Sequence, residues 1–206
     1  MGDWTLPLAL TLIVGKSGTG KSTFAYRYLI NFPAACRFIF DDLGRAAGRL
    51  NIPPCYTATE MEAALATRWV IFNPKRMFTD YKEAFRWFCK WSYDCSLRGP
   101  GKKFVLVDEV WRFQSSHAIS EEFAMIPQAG REEHMELICA TQTPQRINAS
   151  ITGQSTELVC FHLDEKNSLD AVEELGADRA AVQALPPFHF ISYNRDNGAR
   201  LAGRLA

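Results

Sequence analysis

The sequence predicts one α/β domain over residues 1–206, with a mainly parallel central sheet flanked by helices and a β-hairpin at its C-terminal end. Three observations carry this. Short, almost wholly apolar runs recur at 8–14, 104–107 and 137–140, as expected of strands buried on both faces. Helix-like segments alternate with such runs, and that alternation joins parallel neighbours through crossovers. Near the end, two strand-like runs (188–193 and 199–205) flank Asn197-Gly198, a hairpin turn pair.

Taken in order, the first strand (8–14) stops at Gly15, and a helix over 21–31 is ended near Pro33. A second strand, 37–40, closes at Asp41-Asp42. Residues 42–58 read as loop, because Gly44, Gly48, Pro53 and Pro54 break any regular element. Thr59-Glu60-Met61-Glu62 resembles a capping box and opens a helix to about 67. A third strand spans 69–72. A long helix over 79–97 carries Tyr81, Phe85, Phe88 and Trp91 on one face, a stripe that reads as core. Arg98-Gly99-Pro100-Gly101 is a turn, followed by strands at 103–107, 137–140 and 156–163. Helices around 169–175 and 178–184 precede the hairpin. Repeats, linkers and low-complexity tracts are not found.

Composition narrows the classes. With 47% hydrophobic residues, 14 Phe and 5 Trp, disorder is excluded. The 23 basic and 23 acidic residues cancel, unlike the balance of a small free-standing DNA-binding protein. Neutrality still permits nucleic acid, since an oligomer can gather a few Lys and Arg into one channel. Six cysteines without a CxxC pair read as reduced core residues, and four histidines (117, 134, 162 and 189) show no metal-like spacing. The start, Met1-Gly2-Asp3-Trp4, lacks the basic flank of a leader, and the apolar run 6–14 is too short to span a bilayer. A cytoplasmic setting is the expectation.

Gly15-Lys16-Ser17-Gly18-Thr19-Gly20-Lys21-Ser22 matches GxxxxGK[ST], with a predicted strand before it and a helix after it. Glycines let consecutive backbone N–H groups curl around phosphate oxygens, and the helix start adds its positive dipole end. Residues Gly15 to Ser22, with Thr23, are therefore the candidate triphosphate site. Lys21 is expected to reach the β- and γ-phosphates, and the Ser22 hydroxyl to ligate Mg²⁺. Phe104-Val105-Leu106-Val107-Asp108-Glu109 is an apolar strand ending in two carboxylates. Strand C-termini line the ligand crevice of such sheets. Asp108 is expected to hold Mg²⁺, and Glu109 to orient or deprotonate the attacking water. A water-activating Glu argues for hydrolysis rather than transfer to a bound hydroxyl. In Leu137-Ile138-Cys139-Ala140-Thr141-Gln142, the terminal amide would face the γ-phosphate if this strand lies between the other two.

Together, Gly15 to Ser22, Val105 to Glu109, and Gly130-Arg131 followed by Leu137 to Pro144 resemble the FtsK/HerA superfamily of DNA-pumping ATPases. Within it, the short chain looks most like the genome-packaging ATPases of tailless icosahedral viruses with internal membranes. The resemblance covers about 8–163. It implies a RecA-like (ASCE) P-loop fold, ATP and Mg²⁺ as ligands, and a ring, often hexameric, with ATP between subunits. It further implies double-stranded DNA as partner, a capsid vertex or membrane protein as a further contact, and a host-cytoplasmic or virion-associated location. An arginine acting in trans is also implied: Arg131 by motif position, then Arg146. DNA-facing candidates are Asn73-Pro74-Lys75-Arg76, the group Arg98, Lys102 and Lys103, and Arg112 with Gln114; Trp111 reads as stacking, interface or packing. Other readings stay open: an ATPase domain of a filamentous-phage assembly protein, a small-molecule phosphotransferase, or a module using ATP only as a switch.

Overall fold

The computed structural model describes residues 10–129 and 132–205. Arg131 and residues 1–9 lie outside that range. In chain order the elements are β1 (Leu10–Val14), α1 (Lys21–Asn31), β2 (Cys36–Phe40), α2 (Arg45–Leu50), α3 (Ala58–Ala64) and β3 (Trp69–Phe72). They continue with α4 (Tyr81–Ser96), β4 (Lys103–Asp108), α5 (Glu121–Ala129), β5 (Met135–Thr141), α6 (Ala149–Gln154) and β6 (Glu157–Cys160). Last come α7 (Lys166–Glu174), α8 (Arg179–Gln183), β7 (His189–Asn194) and β8 (Arg200–Arg204).

The strands form one sheet in the order β3-β2-β4-β5-β1-β6-β7-β8. The first six are parallel, with Leu10 opposite Leu137 and Val105 opposite Leu137 on the other side of β5; β7 and β8 run antiparallel. Strand β5 therefore lies between β1 and β4, as the sequence argument required of Gln142. Alternation along each strand divides the core. Leu12, Phe40, Val107 and Cys139 face α4 to α8, whereas Ile13, Ile39, Leu106 and Ile138 face α1 and α2. The aromatic stripe of α4 is core: Phe85 and Phe88 pack against Phe40 at centroid distances of 5.3 and 5.4 Å. All six cysteines are buried free thiols. Among the described residues, no helix is long and apolar enough to cross a membrane.

Several boundaries differ from expectation for local reasons. The segment 42–58 is not all loop: α2 forms because the Asp41 carboxylate accepts from the backbone N–H groups of Arg45, Ala46 and Ala47 at 2.8, 3.0 and 3.2 Å. Such a cap outweighs a weak helical sequence. The capping box belongs to Thr57 and Glu60, two residues earlier than Thr59 suggested. Asp80 caps α4, so that helix begins after 79. Helices α5 and α6 were not legible; α5 even contains Pro127. Strand β6 is shorter than 156–163, although Phe161 N–H still donates to the Val14 carbonyl at 2.8 Å.

Candidate active site

The C-terminal ends of β1, β2, β4 and β5 open together onto one cavity of about 230 Å³. The chain leaves β1 through Gly15, whose φ is 155°. A Cβ there would stand 2.5 Å from Phe161 Cβ, so only glycine lets the bend pass the β6 exit. Lys16 N–H then donates to the His162 carbonyl at 2.9 Å, and Thr19 Oγ1 closes the curl onto the Lys16 carbonyl at 2.7 Å. Gly20, at φ 113°, caps α1 without a side chain, and no acidic residue stands in the first turn. That leaves a helix start suited to an anion.

Ser17, Gly18, Gly20, Lys21, Ser22 and Thr23 line the cavity. The Lys16 side chain does not; it pairs with Asp164 at 2.5 Å on the surface. Lys21 is buried, and its ammonium donates to the Lys16 carbonyl at 3.0 Å. Burial lowers its pKa from the usual lysine value, with Glu109 and Asp108 opposing that shift. A buried cation beside an open polar cavity is a group that gains by meeting an anion.

Ser22 Oγ donates to Asp108 Oδ2 at 2.9 Å, joining α1 to the end of β4. These two oxygens belong to hard ligands and both border the cavity, which fits a Mg²⁺ ion held through oxygen and water. Glu109 follows in the left-handed region, φ 52° and ψ 49°. An ordinary residue pays about 1–3 kcal/mol to stay there, and such strain clusters at functional sites. Three donors hold its carboxylate: Gln142 Nε2 at 2.7 Å, Gln142 N–H at 3.2 Å, and Trp111 Nε1 at 2.9 Å. Arg146 lies over the Trp111 ring at 5.0 Å. The arrangement can bind a magnesium triphosphate and present a carboxylate and an amide to its far end.

Sequence reasoning missed part of the wall. Tyr26, Arg45, Arg49 and Phe188 also line the cavity. Arg45 and Arg49 were hidden because α2 was read as loop; the Asp41 cap was the available signal. Phe188 had none. The basic groups read as DNA-facing all have partners within the chain. Arg98 pairs with Glu62 at 2.8 Å, Lys102 with Glu136 at 3.1 Å, and Lys103 is buried against the Gly99 carbonyl at 2.6 Å. Arg112 pairs with Asp42 at 2.6 Å, and Gln114 accepts from Asn148 N–H at 3.1 Å. Lys75 and Arg76 lie over the Tyr56 ring at 4.7 and 4.1 Å.

No family model and no curated protein sequence matches the chain. Solved structures do. The genome packaging NTPase B204 from Sulfolobus turreted icosahedral virus 2, in complex with ATP-gammaS, is similar with a TM-score of 0.78 at 18% identity, over 97% of this chain and 98% of that one. B204, the DNA-packaging ATPase from Sulfolobus Turreted Icosahedral Virus, is similar with a TM-score of 0.74 at 15% identity, over 98% and 100%. The pCW3 conjugation coupling protein TcpA follows with a TM-score of 0.60 at 12% identity, over 97% of this chain and 60% of that one. Likeness at such identities establishes a shared fold, here a P-loop NTPase fold along the whole chain.

Proposed function

We propose that the chain is a Mg²⁺-dependent ATPase that moves double-stranded DNA, packaging a viral genome into a preformed capsid as a ring of subunits. The observation that carries the hydrolytic part is the convergence of Lys21, the Ser22–Asp108 pair at 2.9 Å and the Glu109–Gln142 pair at 2.7 Å on one cavity. DNA as cargo is supported by full-length similarity of fold to two packaging enzymes.

In this reading the triphosphate enters over Gly15 to Thr23, with the helix start facing its oxygens. Lys21 exchanges its bond to the Lys16 carbonyl for the β- and γ-phosphates. Ser22 and Asp108 would hold Mg²⁺, which would supply positive charge to the phosphate oxygens. Phosphoryl transfer needs little covalent help, so catalysis rests on positioning and charge. Glu109 orients the attacking water and accepts its proton, while Gln142 leaves Glu109 to contact water or γ-phosphate. An arginine from a neighbouring subunit adds charge stabilisation; Arg131 is the candidate, with Arg146 second.

The test is phosphate release with and without long duplex DNA. The expected result is hydrolysis that DNA accelerates. Absence of ATP hydrolysis under both conditions overturns the proposal, and hydrolysis indifferent to DNA removes its DNA-moving part. For the trans arginine, Arg131→Ala is mixed into wild-type subunits, and activity should fall faster than the wild-type fraction; strict proportionality counts against it.

A further inference from the structure

Phe188 stands at the mouth of the phosphate cavity in a conformation that its chemistry disfavours. Its φ is +62°, unusual for a bulky residue, and the residue is 49% exposed. A turn and a strand edge hold it there. His189 N–H donates to the Pro186 carbonyl at 3.1 Å, and Leu205 N–H donates to the Phe188 carbonyl at 2.9 Å. The ring lies beside the phosphate loop, with Cδ1 3.3 Å from where a Cβ on Gly20 would stand. Its aromatic neighbours are used otherwise: Phe161 packs on Phe190 with ring centroids 5.7 Å apart, and both rings are buried.

Sheet order says what that ring faces. The loop leaves β1; β5 and β4 lie to one side, β6 and β7 to the other. Hydrolysis requires the γ-phosphate to point towards Glu109 and Gln142, on the β4–β5 side. The α-phosphate and its nucleoside must then leave towards β6 and β7. Two strand spacings from β1 to β7, about 10 Å in all, bring the nucleoside to Phe188. The geometry points to Phe188 as the platform on which the nucleobase of the bound triphosphate stacks. This rests on the nucleotide reading of the cavity and adds its specificity. A phenyl ring offers a π-face and neither donor nor acceptor, so it grips a base by stacking area and reads no base edge. It favours purines over pyrimidines and treats adenine and guanine alike.

The experiment measures binding of Mg-ATP, Mg-GTP, Mg-CTP and Mg-tripolyphosphate to the full chain by calorimetry, for wild type, Phe188→Ala and Phe188→Trp. Stacking on one aromatic is of the size that makes Phe188→Ala weaken ATP and GTP by roughly tenfold. Tripolyphosphate, which has no base, should bind both proteins equally, and Phe188→Trp should restore or improve nucleotide affinity. In wild type, ATP and GTP should lie within a few-fold of each other and CTP should bind more weakly. Unchanged ATP affinity in Phe188→Ala overturns the inference, and so does an equal loss for tripolyphosphate, which would mark a purely structural effect on the loop. Because binding is read directly, wild type that binds ATP without hydrolysing it removes the motor but leaves this inference standing or falling on the same ratio.

Discussion

Gln142 Nε2 donates to Glu109 Oε1 at 2.7 Å, although the two residues are 33 positions apart and sit at the ends of neighbouring strands. With Trp111 Nε1 on the other oxygen, the carboxylate is held in place before any ligand arrives. In the proposed reaction a carboxylate positioned in this way would need little reorganisation, and Gln142 would be the group that senses the incoming phosphate.

Glu109→Gln should therefore lower turnover at least about 100-fold while nucleotide affinity stays within a few-fold. The double variant Glu109→Gln/Gln142→Ala should be hardly worse than Glu109→Gln, because the two side chains act as one unit. Single-turnover phosphate release with a parallel binding titration checks both. Additive losses would show that they act independently.

Lys21→Met should abolish nucleotide binding yet leave the thermal midpoint unchanged or raised. Burial lowers the lysine pKa, so the folded chain holds this ammonium at a cost that the apolar substitute does not carry. Scanning calorimetry of the nucleotide-free protein reads the sign. A clear fall in midpoint would mean that the ammonium stabilises the loop by its bond to the Lys16 carbonyl.

Asp41→Ala removes the acceptor for three N–H groups at the start of α2. A lost cap costs about 1–2 kcal/mol, a fall of roughly 2–8 °C in a chain of this size. Nucleotide affinity should fall as well, because α2 carries Arg45 and Arg49 to the cavity wall. Unchanged affinity in a destabilised variant would show that these arginines play no part in binding.

Glu157 is 5% exposed, next to Thr11 in register, and Oε2 lacks a hydrogen-bond partner. Burial pushes its pKa up to about 7 from the usual 4.5, with Asn194 opposing the shift and Asp196 adding to it. The folded state thus binds a proton more tightly than the unfolded state. The resulting stability is present below about pH 4.5 and is lost as pH rises to about 7, a change of about 3 kcal/mol. Denaturant melts across pH 5 to 8 should show this decline in wild type, and Glu157→Gln should flatten it. An identical profile in the variant would place the titration elsewhere.

The phosphate loop, the helix behind it and the Asp108-Glu109 step were legible because each is a contiguous segment whose residue types and spacing fix its local geometry. Gly15 is the clearest case: the motif demands glycine, and the 2.5 Å approach of Phe161 gives the reason. Helix α2 was not legible, because its start depends on an Asp41 carboxylate folding back over a sequence rich in breakers. The ion pairs of Arg98 and Lys102 were not legible because their partners, Glu62 and Glu136, are distant in sequence.

By itself the sequence determined the α/β class, the order of strands along the chain and the segments proposed to meet a triphosphate. Only the tertiary structure decided the insertion of β5 between β1 and β4, the contacts of Gln142 and Trp111 with Glu109, and the seat of Phe188 beside Gly20. The physical reason is the range of the interactions. Backbone curls, caps within a turn and apolar periodicity are set by neighbours in sequence. Side chains brought together by sheet order depend on which strands pair, and that choice belongs to the packing of the whole core.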